Sequence, residues 1–105
     1  MQGKYKVVTL CGSVKFKDEF LKAQIELTLQ GIIVISVVLF DYADGEYQTV
    51  LTDEVKVMLD DMHKRKIDMA DEIFVLNKNG YLGCSTKSEI EYAHNMGKLV
   101  RYLED

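Results

Sequence analysis

Between Gly80 and Gly97 the sequence reads GYLGCSTKSEIEYAHNMG, a glycine- and hydroxyl-rich loop running into a helical stretch with a carboxylate, Glu89, close to its start. A helix start collects unpaired backbone N–H groups and partial positive charge. It can therefore bind an anion, or hold a carboxylate ionised for nucleophilic attack. The same residues support a plainer reading, because Thr86-x-x-Glu89 has the spacing of a capping box whose Glu only satisfies the first amides of the helix. Other chemistry is sparse. Cys11 and Cys84 form no Cys-x-x-Cys pair, and His63 and His94 lie far apart, so no metal-ligand spacing is present and neither metal nor cofactor is expected. Cys84 reads as a small packing residue, reactive only if a helix start lowers its pKa.

Composition narrows the setting in which that carboxylate works. A chain of 105 residues, 48% hydrophobic, with a formal charge of −4, is expected to form one acidic, soluble domain spanning 1–105. Such a length buries roughly 65% of the unfolded surface, enough for one core without disulfides or metal. The N-terminus lacks a charged segment followed by an apolar stretch, and no apolar run reaches the length of a membrane span. The expectation is a cytoplasmic protein with no membrane partner. Its acidic balance argues against a nucleic-acid face, and the basic run His63-Lys64-Arg65-Lys66 is short enough to be a solvated helix surface.

Alternating apolar periods predict the elements that must position Glu89. Val7 to Cys11, stopped by Gly12-Ser13, reads as a buried strand. A helix is predicted from about Lys15 to Gln30, with Phe16, Phe20, Leu21, Ile25, Thr28 and Leu29 as its apolar stripe, Ser13 as cap and Gly31 as terminator. Ile32 to Phe40 reads as a strand covered on both faces, and Asp41 to Gln48 as a polar loop and mobile lid in which Tyr42 and Tyr47 could stack on a base. A second helix begins near Thr52, with Asp53 and Glu54 at its positive end and Val55, Met58, Leu59 and Met62 as its buried stripe. Glu72 to Leu76 is a third strand ended by Asn77 to Gly80, the Glu89 helix runs to Gly97, and Leu99 to Leu103 gives the last strand.

This order predicts an α/β fold: a doubly wound, Rossmann-like parallel sheet of four to five strands with helices on both faces. Ligands bind such sheets beyond the carboxyl ends of the strands, where the strand order reverses. For an order 2-1-3-4 that point lies between the first and third strands, so the loops at Cys11 to Lys15 and Asn77 to Ser88 face one another.

Several of these segments together resemble the nucleoside 2-deoxyribosyltransferase superfamily, including its small nucleotide N-glycosidase branch. The matching pieces are a first strand ending in Cys11-Gly12-Ser13, a helix ending in LTLQG, Ala70-Asp71-Glu72-Ile73 at the third strand, and Ser88 to Ala93 followed by Gly97-Lys98. The resemblance implies that Glu89 is the nucleophile that attacks the anomeric carbon of a nucleoside's sugar, stabilising positive charge there or trapping it as a glycosyl ester. Where the family commonly carries an Asp, eight residues before Asp71, this chain has His63, which titrates near neutrality and suits a general acid for the departing base. As a plain surface group it would be solvated or hydrogen-bonded.

The transferases also carry an Asp six residues before the nucleophile to hold a sugar hydroxyl, and that position here is Gly83. The change leaves room for a phosphate, cradled by backbone amides and the hydroxyls of Ser85, Thr86 and Ser88, with Gly12, Ser13 and Lys15 as further donors from the opposite loop. Asp71 is matched as a substrate-binding residue, though the residues alone favour a plainer role, ending the preceding helix and hydrogen-bonding a loop amide; Glu91 reads as solvated, and Tyr92 as a core ring with its hydroxyl at a boundary. The implied substrate is a nucleoside or nucleoside 5′-monophosphate, and the implied assembly a homodimer or larger. Two further readings remain open: a nucleotide-binding module of this fold without catalysis, and an interaction domain in which Glu89 only caps.

Overall fold

The computed structural model describes residues 3–37 and 52–104. The segment predicted as a lid, with Tyr42 and Tyr47, lies outside these residues, as does the end of the predicted second strand. Four strands, β1 (Val7–Gly12), β2 (Ile33–Ile35), β3 (Glu72–Leu76) and β4 (Leu99–Tyr102), alternate with three helices, α1 (Lys17–Leu29), α2 (Asp53–Asp68) and α3 (Cys84–Asn95). All strands pair in parallel, in the order β2-β1-β3-β4. This is the doubly wound α/β arrangement expected from the alternation of β-branched runs with helical periods.

Strand parity divides the core. Val8 and Leu10 of β1 and Leu76 of β3 point to one face, where Phe20 and Ala23 of α1 cover them. Cys11, Ile73 and Val75 point to the other, against Ile67 of α2 and Ala93 of α3. Thr9 shares that second face and donates from Oγ1 to the Lys66 carbonyl at 2.9 Å, tying β1 to α2. Each fully buried Leu, Ile or Phe contributes on the order of 1.5–3 kcal/mol, so the two layers together hold the helices against the sheet.

Three details depart from the sequence reading. On α1 the buried line is Phe20 and Ala23, flanked by partly buried Phe16 and Leu27, whereas Leu21, Ile25 and Leu29 face outward, Leu29 at 82% exposure. The helix carries two adjacent apolar stripes, and periodicity alone does not say which one meets the sheet. On α2, His63 and Ile67 are the buried residues, while Met58 and Met62 are about half exposed. Finally β2 is a three-residue edge strand with Ile33 exposed, so it is not covered on both faces.

Candidate functional site

Glycine governs where β1 ends. Gly12 has φ of +153°, and a Cβ there would meet Leu76 Cβ and its carbonyl oxygen at 3.2 Å, so β1 and β3 approach closely at their carboxyl ends only because no side chain intervenes. Beyond this point Ser13 Oγ accepts from the Lys15 amide and starts a short 3₁₀ turn, Val14–Phe16, ahead of α1. Across the gap a second 3₁₀ turn, Lys78–Gly80, leads to Tyr81 and α3. The two loops touch: the Tyr81 ring meets Phe16 edge-on at 5.8 Å, and the Lys15 ammonium lies 3.4 Å from the centre of the same ring.

The helix carrying Glu89 begins earlier than its capping-box reading requires. Its N-cap is Gly83, and Glu89 is therefore the sixth residue of α3, too far along to cap anything. Thr86, a turn earlier, is buried. Being in the second turn, Glu89 points from α3 toward the carboxyl end of β1. There it joins two side chains from other elements, His63 of α2 and Cys11 of β1. Glu89 Oε1 is 3.5 Å from His63 Nε2, and the same nitrogen is 3.4 Å from Cys11 Sγ. All three residues are buried.

Burial sets the charge states of this cluster. Loss of solvent pushes the Glu89 carboxyl up to about 7, opposed by the Cys11 contact. Burial likewise pushes His63 down to about 4, helped by the Lys66 ammonium. The Cys11 thiol is raised well above its ordinary value, first by burial and then by the Glu89 charge. Although their distance fits an ion pair, between about pH 4 and pH 7 Glu89 and His63 are therefore a neutral pair holding one proton, because burial disfavours separated charges. His63 is neither solvated nor a ready donor at neutral pH; the sequence reading took an aqueous titration for a group that has left water.

The remaining expected residues divide by position. Gly12, Ser13, Lys15, Gly83 and Ser85 all lie on the two loops or the first turns they open, at the carboxyl end of the sheet, and Ser88 opens the second turn of α3. Thr86 lies on the first turn of α3 and is buried, as Glu89 is. Asp71 is a correction: it precedes β3 at the opposite end of the sheet, where its Oδ2 accepts from the Val7 amide at 2.8 Å, and it joins no site with Glu89. Glu91 is exposed, and Tyr92 packs its ring beside the core while its hydroxyl donates to Asp68 Oδ1 at 2.6 Å. A cleft of about 400 Å³ lined by residues including Glu19, Lys22, Phe74 and Lys78 lies against α1, on the other face of the sheet from Glu89.

Cys11 is the participant that sequence reasoning missed. It lies 52 residues from His63, and no local spacing relates them. Its one signal is parity: Cys11 is two residues from Thr9, so it shares the face that α2 and α3 cover, next to the glycine that ends the strand. No protein-family model matches this sequence, and no curated protein matches it significantly.

Proposed function

We propose that this protein cleaves the N-glycosidic bond of a nucleoside 5′-monophosphate, or transfers its sugar, through the carboxylate of Glu89, as the resemblance to the nucleoside 2-deoxyribosyltransferase superfamily implies. The observation that carries this reading is the pairing of buried Glu89 and His63 at the carboxyl ends of β1 and β3, where a doubly wound sheet receives ligands.

The shared proton gives the pair a way to supply both reacting groups. Passing it from Glu89 Oε1 to His63 Nε2, 3.5 Å away, creates a carboxylate and an imidazolium together. The carboxylate then forms a bond to the anomeric carbon as the bond to the base nitrogen breaks, and the imidazolium gives its proton to the departing base. Water, or an acceptor base, opens the glycosyl ester and restores the proton. Positive charge developing on the sugar favours the ionised form of Glu89 at the moment it is needed. Ser13, Lys15, Ser85, Ser88 and the free amides of the first turn of α3 are the groups suited to a 5′-phosphate. The same family reading implies a homodimer or larger assembly.

A second reading, nucleotide binding without turnover, is favoured by the same neutral pair, since a carboxyl that keeps its proton is a poor nucleophile. Chromatographic assay of free base released from a panel of nucleoside monophosphates separates the two. The glycosidase reading predicts turnover that Glu89→Gln lowers by at least about a hundredfold, the scale of a lost acid–base or nucleophilic group. Saturable binding with no base released would select the second reading, and neither binding nor release would remove both.

A further inference from the structure

His63 Nε2 has one lone pair or one proton, yet two buried polar atoms approach it, Cys11 Sγ at 3.4 Å and Glu89 Oε1 at 3.5 Å. One hydrogen bond from the Glu89 carboxyl serves the ring, and the Cys11 thiol donates to Glu89. A cation at the centre satisfies all three. Independently of the glycosidase reading, we propose that Cys11, His63 and Glu89 form a zinc-binding site with three protein ligands and a fourth position for water or a small ligand.

The distances fit. Zinc bond lengths to thiolate, imidazole and carboxylate place tetrahedrally arranged ligand atoms about 3.6 Å apart for sulfur to nitrogen and about 3.3 Å for nitrogen to oxygen. The two separations seen here are 3.4 and 3.5 Å, and all three ligand atoms lie within 4.8 Å of one another. The donor set is equally selective, because a thiolate with an imidazole suits zinc and not magnesium or calcium. A thiolate and a carboxylate also neutralise the ion's two charges, which is what a water-poor site requires. Three separate elements, β1, α2 and α3, supply the ligands, so the packed fold preforms the site. On binding, the Cys11 thiol and the Glu89 carboxyl each give a proton to solvent as the sulfur–zinc and oxygen–zinc bonds form.

Occupancy would oppose glycosyl chemistry, because a carboxylate bound to a cation is a weaker nucleophile. The test contains no nucleotide, so its outcome stands apart from base release. Titrating the folded chain with Zn²⁺ against a chromophoric chelator should show one equivalent bound, and Co²⁺ in its place should give the near-ultraviolet absorption of a cobalt–thiolate bond. Cys11→Ser should abolish that absorption and weaken zinc binding by at least about tenfold, the loss that even an outer-sphere group causes. Glu89→Gln should keep the absorption and weaken binding, which preserves the test if Cys11→Ser does not fold, as circular dichroism would reveal. Cys84→Ser, at an exposed position, should change neither. No uptake by the folded wild-type chain, or uptake that Cys11→Ser and Glu89→Gln leave unchanged, would overturn the site.

Discussion

At the scale of single residues, the exchange of one proton between Glu89 and His63 has a consequence for stability. In the metal-free protein Glu89 has its carboxyl raised from 4.5 to about 7, so its contribution to stability is present below 4.5 and is lost as pH rises through 7. His63 is lowered from 6.5 to about 4, so its contribution is present above 6.5 and is lost as pH falls through 4. Between about 4.5 and 6.5 the two slopes oppose each other. The folded pair holds one proton there, and so does the unfolded pair, with the proton on the other partner. Removing one partner unmasks the other: unfolding free energy of Glu89→Gln should rise with pH across this range, and that of His63→Gln should fall. Urea denaturation at a series of pH values reads both slopes; parallel profiles for the two variants would refute the neutral pair. Glu89 itself was legible as the carboxylate of interest, but its environment was not. A pKa depends on what surrounds a group in space, and neither Cys11 nor the burial of His63 is written near position 89.

At the scale of elements, the proposed chemistry depends on α2 holding His63 in place, and α2 is secured at its start by Thr52, whose Oγ1 accepts from the Val55 amide at 3.2 Å. Asp53 and Glu54 complement the positive end of the same helix. Thr52→Ala should cost about 1 kcal/mol, seen as a lower denaturation midpoint at unchanged slope. The cap was readable because a hydroxyl followed by two acids is a local signal. By contrast the start of α3 was misread: Ser85 and Thr86 both suit a cap, yet the helix begins at Cys84 behind Gly83, which offers no side chain. The stripe of α1 also escaped the sequence, since Leu21, Ile25 and Leu29 repeat as regularly as Phe16, Phe20, Ala23 and Leu27. Unfolding measurements distinguish the two faces. Phe20→Ala should cost about 3–5 kcal/mol as a fully buried ring, and Leu29→Gln should stay within about 0.5 kcal/mol.

At the scale of the whole molecule, the strand order β2-β1-β3-β4 explains why residues 11, 63 and 89 meet at all. Parallel strands with right-handed crossovers return every strand's carboxyl end to one edge, and the order reverses between β1 and β3. The parallel arrangement followed from the alternation of strand and helix patterns, whereas the facing of the Cys11 and Asn77 loops was expected only for the order 2-1-3-4, which is the order found. The same topology places Asp71 apart from Glu89 within one chain: a residue that precedes a strand lies at the far edge of the sheet, however near it is in sequence to the strand that leads to the site. Among the described residues no helix is long and apolar enough to cross a membrane. The architecture thus accounts for the placing of Glu89, and the decisive question is whether its oxygen attacks a sugar. Acid-quenching the protein during turnover of a nucleoside monophosphate and weighing its peptides by mass spectrometry answers it. The peptide containing Glu89 should gain the mass of one pentose phosphate residue, and Glu89→Gln should abolish the gain. Base release that proceeds with that peptide at its unmodified mass, or an adduct on another residue, would contradict attack by Glu89.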